Sequence, residues 1–160
     1  MTASVRRSVE VAVDPRTAFT IFTEHMDEWY LGGRHAWNDP ARAIGIRIEP
    51  GVGGRWMEVW DAETGDGYEI GVVRAWEPGS RLVVSYRHPR LPPEQSTEIE
   101  VLFRPVDGGT RVTLEHRGWD RLPPDAVAGF LTPRAWGALV GWFTDYVASH
   151  GPHDQRTAPT

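Results

Sequence analysis

Apolar and polar residues alternate along most of this chain, and the period of the alternation divides it into three stretches. In the first, Val5, Val9, Val11 and Val13 stand among Arg6, Arg7, Ser8 and Glu10, the two-residue period of a strand with one wet face. Asp14-Pro15 ends that strand and opens a helix, because an Asp oxygen accepts an otherwise unpaired N–H of the first turn and Pro has none to lose. Ala18, Phe19, Ile21 and Phe22 form the apolar face of the helix. Residues 27–30 predict a second short helix before Gly32-Gly33 breaks it.

From residue 44 to residue 119, short apolar runs are separated by turn residues, the pattern of an antiparallel meander. Shared faces are predicted for Ile44, Ile46 and Ile48; for Tyr68, Ile70, Val72, Arg74 and Trp76; for Leu82, Val84 and Tyr86; for Thr97, Ile99, Val101 and Phe103; and for Val112, Leu114 and His116. Residues 54–60, G-R-W-M-E-V-W, form a further strand whose register is open: either Trp56, Glu58 and Trp60 point inward, or Met57 and Val59 do. Burying the Trp face removes more apolar area from water and is favoured. The third stretch restarts a helix at Thr132-Pro133, with Trp136, Leu139, Val140, Phe143 and Val147 at three- and four-residue spacing. Residues 4–150 therefore read as one domain and 151–160 as a disordered polar tail.

An antiparallel sheet of about seven strands with one long amphipathic helix is an α+β arrangement. The economical packing curves the sheet around the helix and lets the two short helices plug one end. Such an interior is expected to hold an apolar cavity with a few polar handles.

Composition removes whole classes of chemistry. The 160 residues contain no Cys, which excludes disulfides, thiolate metal sites and a Cys nucleophile. All 17 Lys+Arg residues are Arg, so neither Schiff-base lysine chemistry nor a P-loop is available. A net charge of -5 argues against nucleic acid. The absence of a long apolar run or signal-peptide core leads to the expectation of a cytoplasmic protein that does not engage membranes.

The candidate chemistry is sparse. The 8 Trp are the most distinctive feature; Trp29, Trp56, Trp60, Trp76, Trp136 and Trp142 are cavity candidates, although aromatic residues at such spacings more often fill a core. Inward-facing Glu58 and His116 could form an acid–base pair, hold the polar end of a ligand, or be satisfied core groups. Arg74 could meet an acidic ligand or reach out to water. His150, His153 and Asp154 are separated by the helix-breaking Gly151-Pro152 and read as a solvated tail. Gly51-Val52-Gly53-Gly54 precedes a strand, not a helix, and so is no dinucleotide fingerprint. No nucleophile elbow frames a Ser. No catalytic residue, cofactor site or metal site is expected.

Several segments carry a resemblance: V-R-R-S-V-E-V at residues 5–11, D-P-x-x-A-F-x-x-F from Asp14, E-W-Y from Glu28, G-G-R-W-M-E from Gly53, G-x-V-x-x-x-E-P-G-x-R-L from Gly71, and G-T-R-V-T-L-E-H from Gly109. With the element order, they resemble the helix-grip fold of the START-like (SRPBCC, Bet v 1-like) superfamily and, within it, the family of activator of heat-shock protein 90 ATPase homologues. The resemblance covers about residues 5–149. It implies binding of a hydrophobic, polycyclic small molecule without turnover. The cavity candidates on that reading are Trp29, Trp56, Glu58, Trp60, Arg74, Trp76, Tyr86, Phe103, His116, Trp136, Leu139 and Phe143. Similar bacterial members include enediyne self-sacrifice resistance proteins, which implies a second possible function: binding an enediyne and suffering backbone cleavage. A polyketide aromatase or cyclase is a third. The expected assembly is a monomer or weak homodimer.

Overall fold

The Asp14-Pro15 corner directs everything that follows. In the computed structural model, which describes residues 4–30, 39, 41–87, 96–118 and 139–149, β1 (Ser4–Val11) ends just before α1 (Pro15–Glu24). Asp14 caps that helix, accepting the Thr17 backbone N–H at 3.2 Å and the Thr17 hydroxyl; the hydroxyl bond is the main cause that holds its carboxyl below the ordinary range. α1 buries Ala18, Phe19, Ile21 and Phe22, and α2 (Met26–Trp29) buries Met26 and Trp29.

Six more strands follow: β2 (Gly45–Ile48), β3 (Arg55–Val59), β4 (Gly67–Glu77), β5 (Arg81–Tyr86), β6 (Thr97–Val106) and β7 (Gly109–Arg117). Their order in the sheet is β1-β7-β6-β5-β4-β3-β2. Every neighbouring pair is antiparallel. Between β6 and β7 the chain reverses in two residues, with Gly108 at a φ of 81°, a conformation that costs Gly little. Residues 139–149 are helical (α3). The sheet curves as a half-barrel, and Leu139, Val140, Phe143 and Val147 of α3 join the core on its concave side. Trp136 and the predicted tail lie outside the described residues.

The predicted inner faces hold in β6 and β7, where Ile99, Val101, Phe103, Val112, Leu114 and His116 are all buried, with Thr113 of the opposite face buried as well. The alternation fails in β4, and that corrects the predicted face. Trp56 pairs with Gly71 but Met57 pairs with Glu69, so Ile70 is an extra residue; Val73 pairs with Val84 but Ala75 with Val83, so Arg74 is another. Each bulge shifts the side-chain parity by one. Ile70 and Val73 therefore enter the core, while Val72 pairs beside exposed Arg55 and Arg74 is itself exposed. The open register of β3 resolves with Trp56 and Glu58 inward, packed among Ile46, Ile48 and Ile70. Trp60 falls just past the end of that strand.

Candidate functional site

Where α1 and α2 meet the concave face, aromatic rings accumulate. Phe22 packs 5.1 Å from Trp29 and 5.3 Å from Phe143, and Trp29 lies 5.5 Å from Phe143. Tyr30 stands edge-on to Trp142 of α3 at 5.4 Å. A second tie fastens α3 to this corner: the Tyr146 hydroxyl donates to Glu28 Oε1 at 2.7 Å, and Glu28 Oε2 lies 2.9 Å from His25 Nδ1.

These elements enclose an apolar hollow of about 20 Å³, bordered by Trp29, Tyr30, Ile48, Trp56, Leu82, Val84, Leu114 and Leu139 among others. One water fills such a space, whereas pockets for drug-sized ligands run to roughly 300–1,000 Å³. At the junction of helices and sheet where a cavity was expected, side chains occupy most of the space. A larger groove of about 300 Å³ lies between the α1–α2 corner and β2 and is open to solvent.

A polar cluster continues from the hollow along the concave face. Glu58 is fully buried, and its Oε2 accepts the Asp39 backbone N–H at 2.9 Å and Trp60 Nε1–H at 2.8 Å. Burial, helped by the nearby Glu58 charge, pushes the Tyr30 hydroxyl far above its ordinary pKa. Burial does the same for Tyr86, with Tyr30 and Tyr68 adding to it. The Tyr68 hydroxyl donates to the Arg87 carbonyl. At the β7 end, His116 Nε2 shares a hydrogen bond with the Thr97 hydroxyl, and the imidazole lies 5.1 Å from the Tyr86 ring. Burial lowers the His116 pKa to about 3, so the ring is neutral at pH 7.

Of the predicted cavity residues, Trp29, Trp56 and Leu139 border the hollow. Glu58, Trp60, Tyr86 and His116 form the polar cluster, and the Arg42 guanidinium lies 5.2 Å from the Trp60 ring centre. Phe103 and Phe143 are core residues, and half-buried Trp76 packs edge-on against Phe19 at 5.0 Å. Arg74 points to solvent. Glu58 and His116 do not sit side by side in the sheet: β4, β5 and β6 separate their strands, which weakens the acid–base arrangement that a cyclase would need. Sequence reasoning missed Tyr30 and Met26 as lining residues. The E-W-Y segment contained the signal for Tyr30.

Among the described residues, no group of three or more His, Asp or Glu side chains gathers to hold a metal ion. No described helix is long and apolar enough to cross a membrane.

The sequence profile of the family described as activator of Hsp90 ATPase homolog 1-like protein matches residues 12–147. No curated protein matches the chain in sequence. Among solved structures, the self-sacrificing resistance protein CalC from Micromonospora echinospora is 27% identical, with a TM-score of 0.60, over 98% of this chain and 97% of that one. A protein from Nitrosomonas europaea is 18% identical with a TM-score of 0.63, over 91% and 94% of the two chains. The Aha1 dimer from Colwellia psychrerythraea is 15% identical with a TM-score of 0.61, over 91% and 96%. The last two likenesses speak to the fold alone.

Proposed function

The chain belongs to the activator of Hsp90 ATPase homolog 1-like family, and on that footing we propose that it binds a flat, apolar, polycyclic small molecule between the concave sheet face, the α1–α2 corner and α3, without turning it over. The observation that carries this reading is the apolar hollow itself, walled by Trp29, Trp56 and Tyr30 where three separate elements meet. A guest of that kind must widen the hollow. Met26, with its three rotatable bonds, and Leu139 are the bordering side chains best able to yield. The fully buried Glu58 and His116 then serve to shape the polar end of the interior. The unit is taken as residues 4–150, a cytoplasmic monomer or weak homodimer.

Titration with a panel of tricyclic and tetracyclic hydrocarbons and ketones, followed by Trp fluorescence and amide NMR, tests the reading. Shifts at residues 22–30, 56, 82–84 and 139–143 are expected. No shift there for any guest overturns it.

A second reading is self-sacrificing enediyne resistance. It is favoured by the 27% identity to CalC across nearly the whole of both chains. It predicts site-specific backbone cleavage on exposure to an activated enediyne, read by intact-mass spectrometry; an unbroken chain at full enediyne consumption sinks it.

A further inference from the structure

Two indoles border the same hollow and meet opposite fates. Trp29 Nε1 donates to the Ile21 and Phe22 carbonyls at 3.1 and 3.2 Å. Those carbonyls lie in the last turn of α1, and Ile21 O also accepts the His25 backbone N–H at 3.2 Å. Trp56 Nε1 is equally buried yet has no hydrogen-bond partner among the described residues. Native structures rarely leave a buried N–H without an acceptor, and each case calls for an explanation.

Packing alone does not supply one, because a Phe at position 56 would present an aromatic face to the hollow without burying a donor. A resident water is a poor partner: buried waters typically make about three hydrogen bonds, and the hollow is lined by apolar side chains apart from Tyr30, with the Tyr86 ring 6.1 Å from Trp56 the other polar neighbour.

We infer that the guest carries a neutral hydrogen-bond acceptor, a ring carbonyl of the aryl-ketone or quinone kind, which accepts from Trp56 Nε1–H. This rests on the ligand-binding reading above and names the chemistry of its ligand. An indole N–H only donates, which selects an acceptor. A carboxylate would lose its hydration to an apolar wall, which selects a neutral one.

The matched pair 9-fluorenone and fluorene, which differ by C=O against CH2, tests the inference. The wild-type protein is expected to bind fluorenone about tenfold more tightly, one hydrogen bond to an otherwise unsatisfied donor. Trp56→Phe is expected to equalise the two. In the wild type, the indole N–H resonance assigned to Trp56 by its absence from the W56F spectrum should move with fluorenone and stay in place with fluorene. This measurement serves even if W56F fails to fold, with assignment by through-bond experiments instead. Equal affinity for the pair in the wild type, or an indole resonance indifferent to fluorenone, overturns the inference and leaves the ligand-binding reading standing. Failure of both compounds to bind overturns the inference, and failure of every guest in the wider panel overturns the ligand-binding reading with it.

Discussion

The two faces of the sheet handle polar groups in opposite ways. On the convex face Arg117 bridges Glu98 at 2.7 Å, Glu100 at 2.9 Å and Glu115 at 3.4 Å, while Arg81 reaches Glu100 at 2.6 Å. Partial burial alone would raise the Glu100 carboxyl, but the two Arg partners bring it below its ordinary value. These side chains keep contact with water, so each pair contributes little. On the concave face of the same sheet, Glu58 and His116 have no solvent at all. There a polar group depends wholly on its protein partners, and losing one exposes the full cost of desolvation. Polar residues of the same kinds thus carry very different weight according to the face they occupy.

Breaking the concave side should produce the largest effect. Phe143, 1% exposed between Phe22 and Trp29, leaves a cavity when changed to Ala; F143A is expected to cost about 3–5 kcal/mol in urea unfolding. Glu58→Ala removes the acceptor of the Asp39 and Trp60 donors and should cost about 3 kcal/mol. If E58A costs no more than a convex-face variant, the contrast between the faces is wrong.

Acidification probes the same side through His116. The unfolded ring takes up a proton near pH 6.5, while burial delays that in the folded state to about pH 3. The unfolded state therefore binds more protons between those values, and stability falls as pH drops through that window, by about 3 kcal/mol at pH 4. Glu49, held at about 2 chiefly by its hydrogen bonds from Arg55, keeps its contribution above pH 4.5 and loses it as pH falls from 4.5 to 2. Most of the His116 window is thus separate. His116→Gln should flatten the stability profile between pH 6.5 and 4.5, measured as thermal midpoints across pH. An unchanged slope would remove His116 as its source.

The convex side should yield the smallest change. Arg117→Met is expected to cost about 1 kcal/mol despite its three carboxylate neighbours, and the difference should shrink in high salt.

Much of the architecture was legible because it is local. Asp14-Pro15 announced α1, the alternation of residues 97–103 and 112–116 placed their inner faces, and Asp107-Gly108 marked the hairpin. The site was less legible. Arg74 read as an inner residue because bulges leave no mark on an alternating pattern: only pairing against β3 and β5 reveals that Ile70 and Arg74 are supernumerary. Tyr30 was missed because its burial comes from Trp29 and Trp142, the latter more than a hundred positions away in the chain.

By itself, then, the sequence determined the α+β class, the family and the described elements, since side-chain period and capping chemistry act over a few residues. Tertiary structure decided how much of the interior is empty and which of the two bordering indoles has a partner. Those depend on distances between segments far apart in the chain: α1 ends where its carbonyls reach Trp29, and among the described residues no acceptor comes within reach of Trp56.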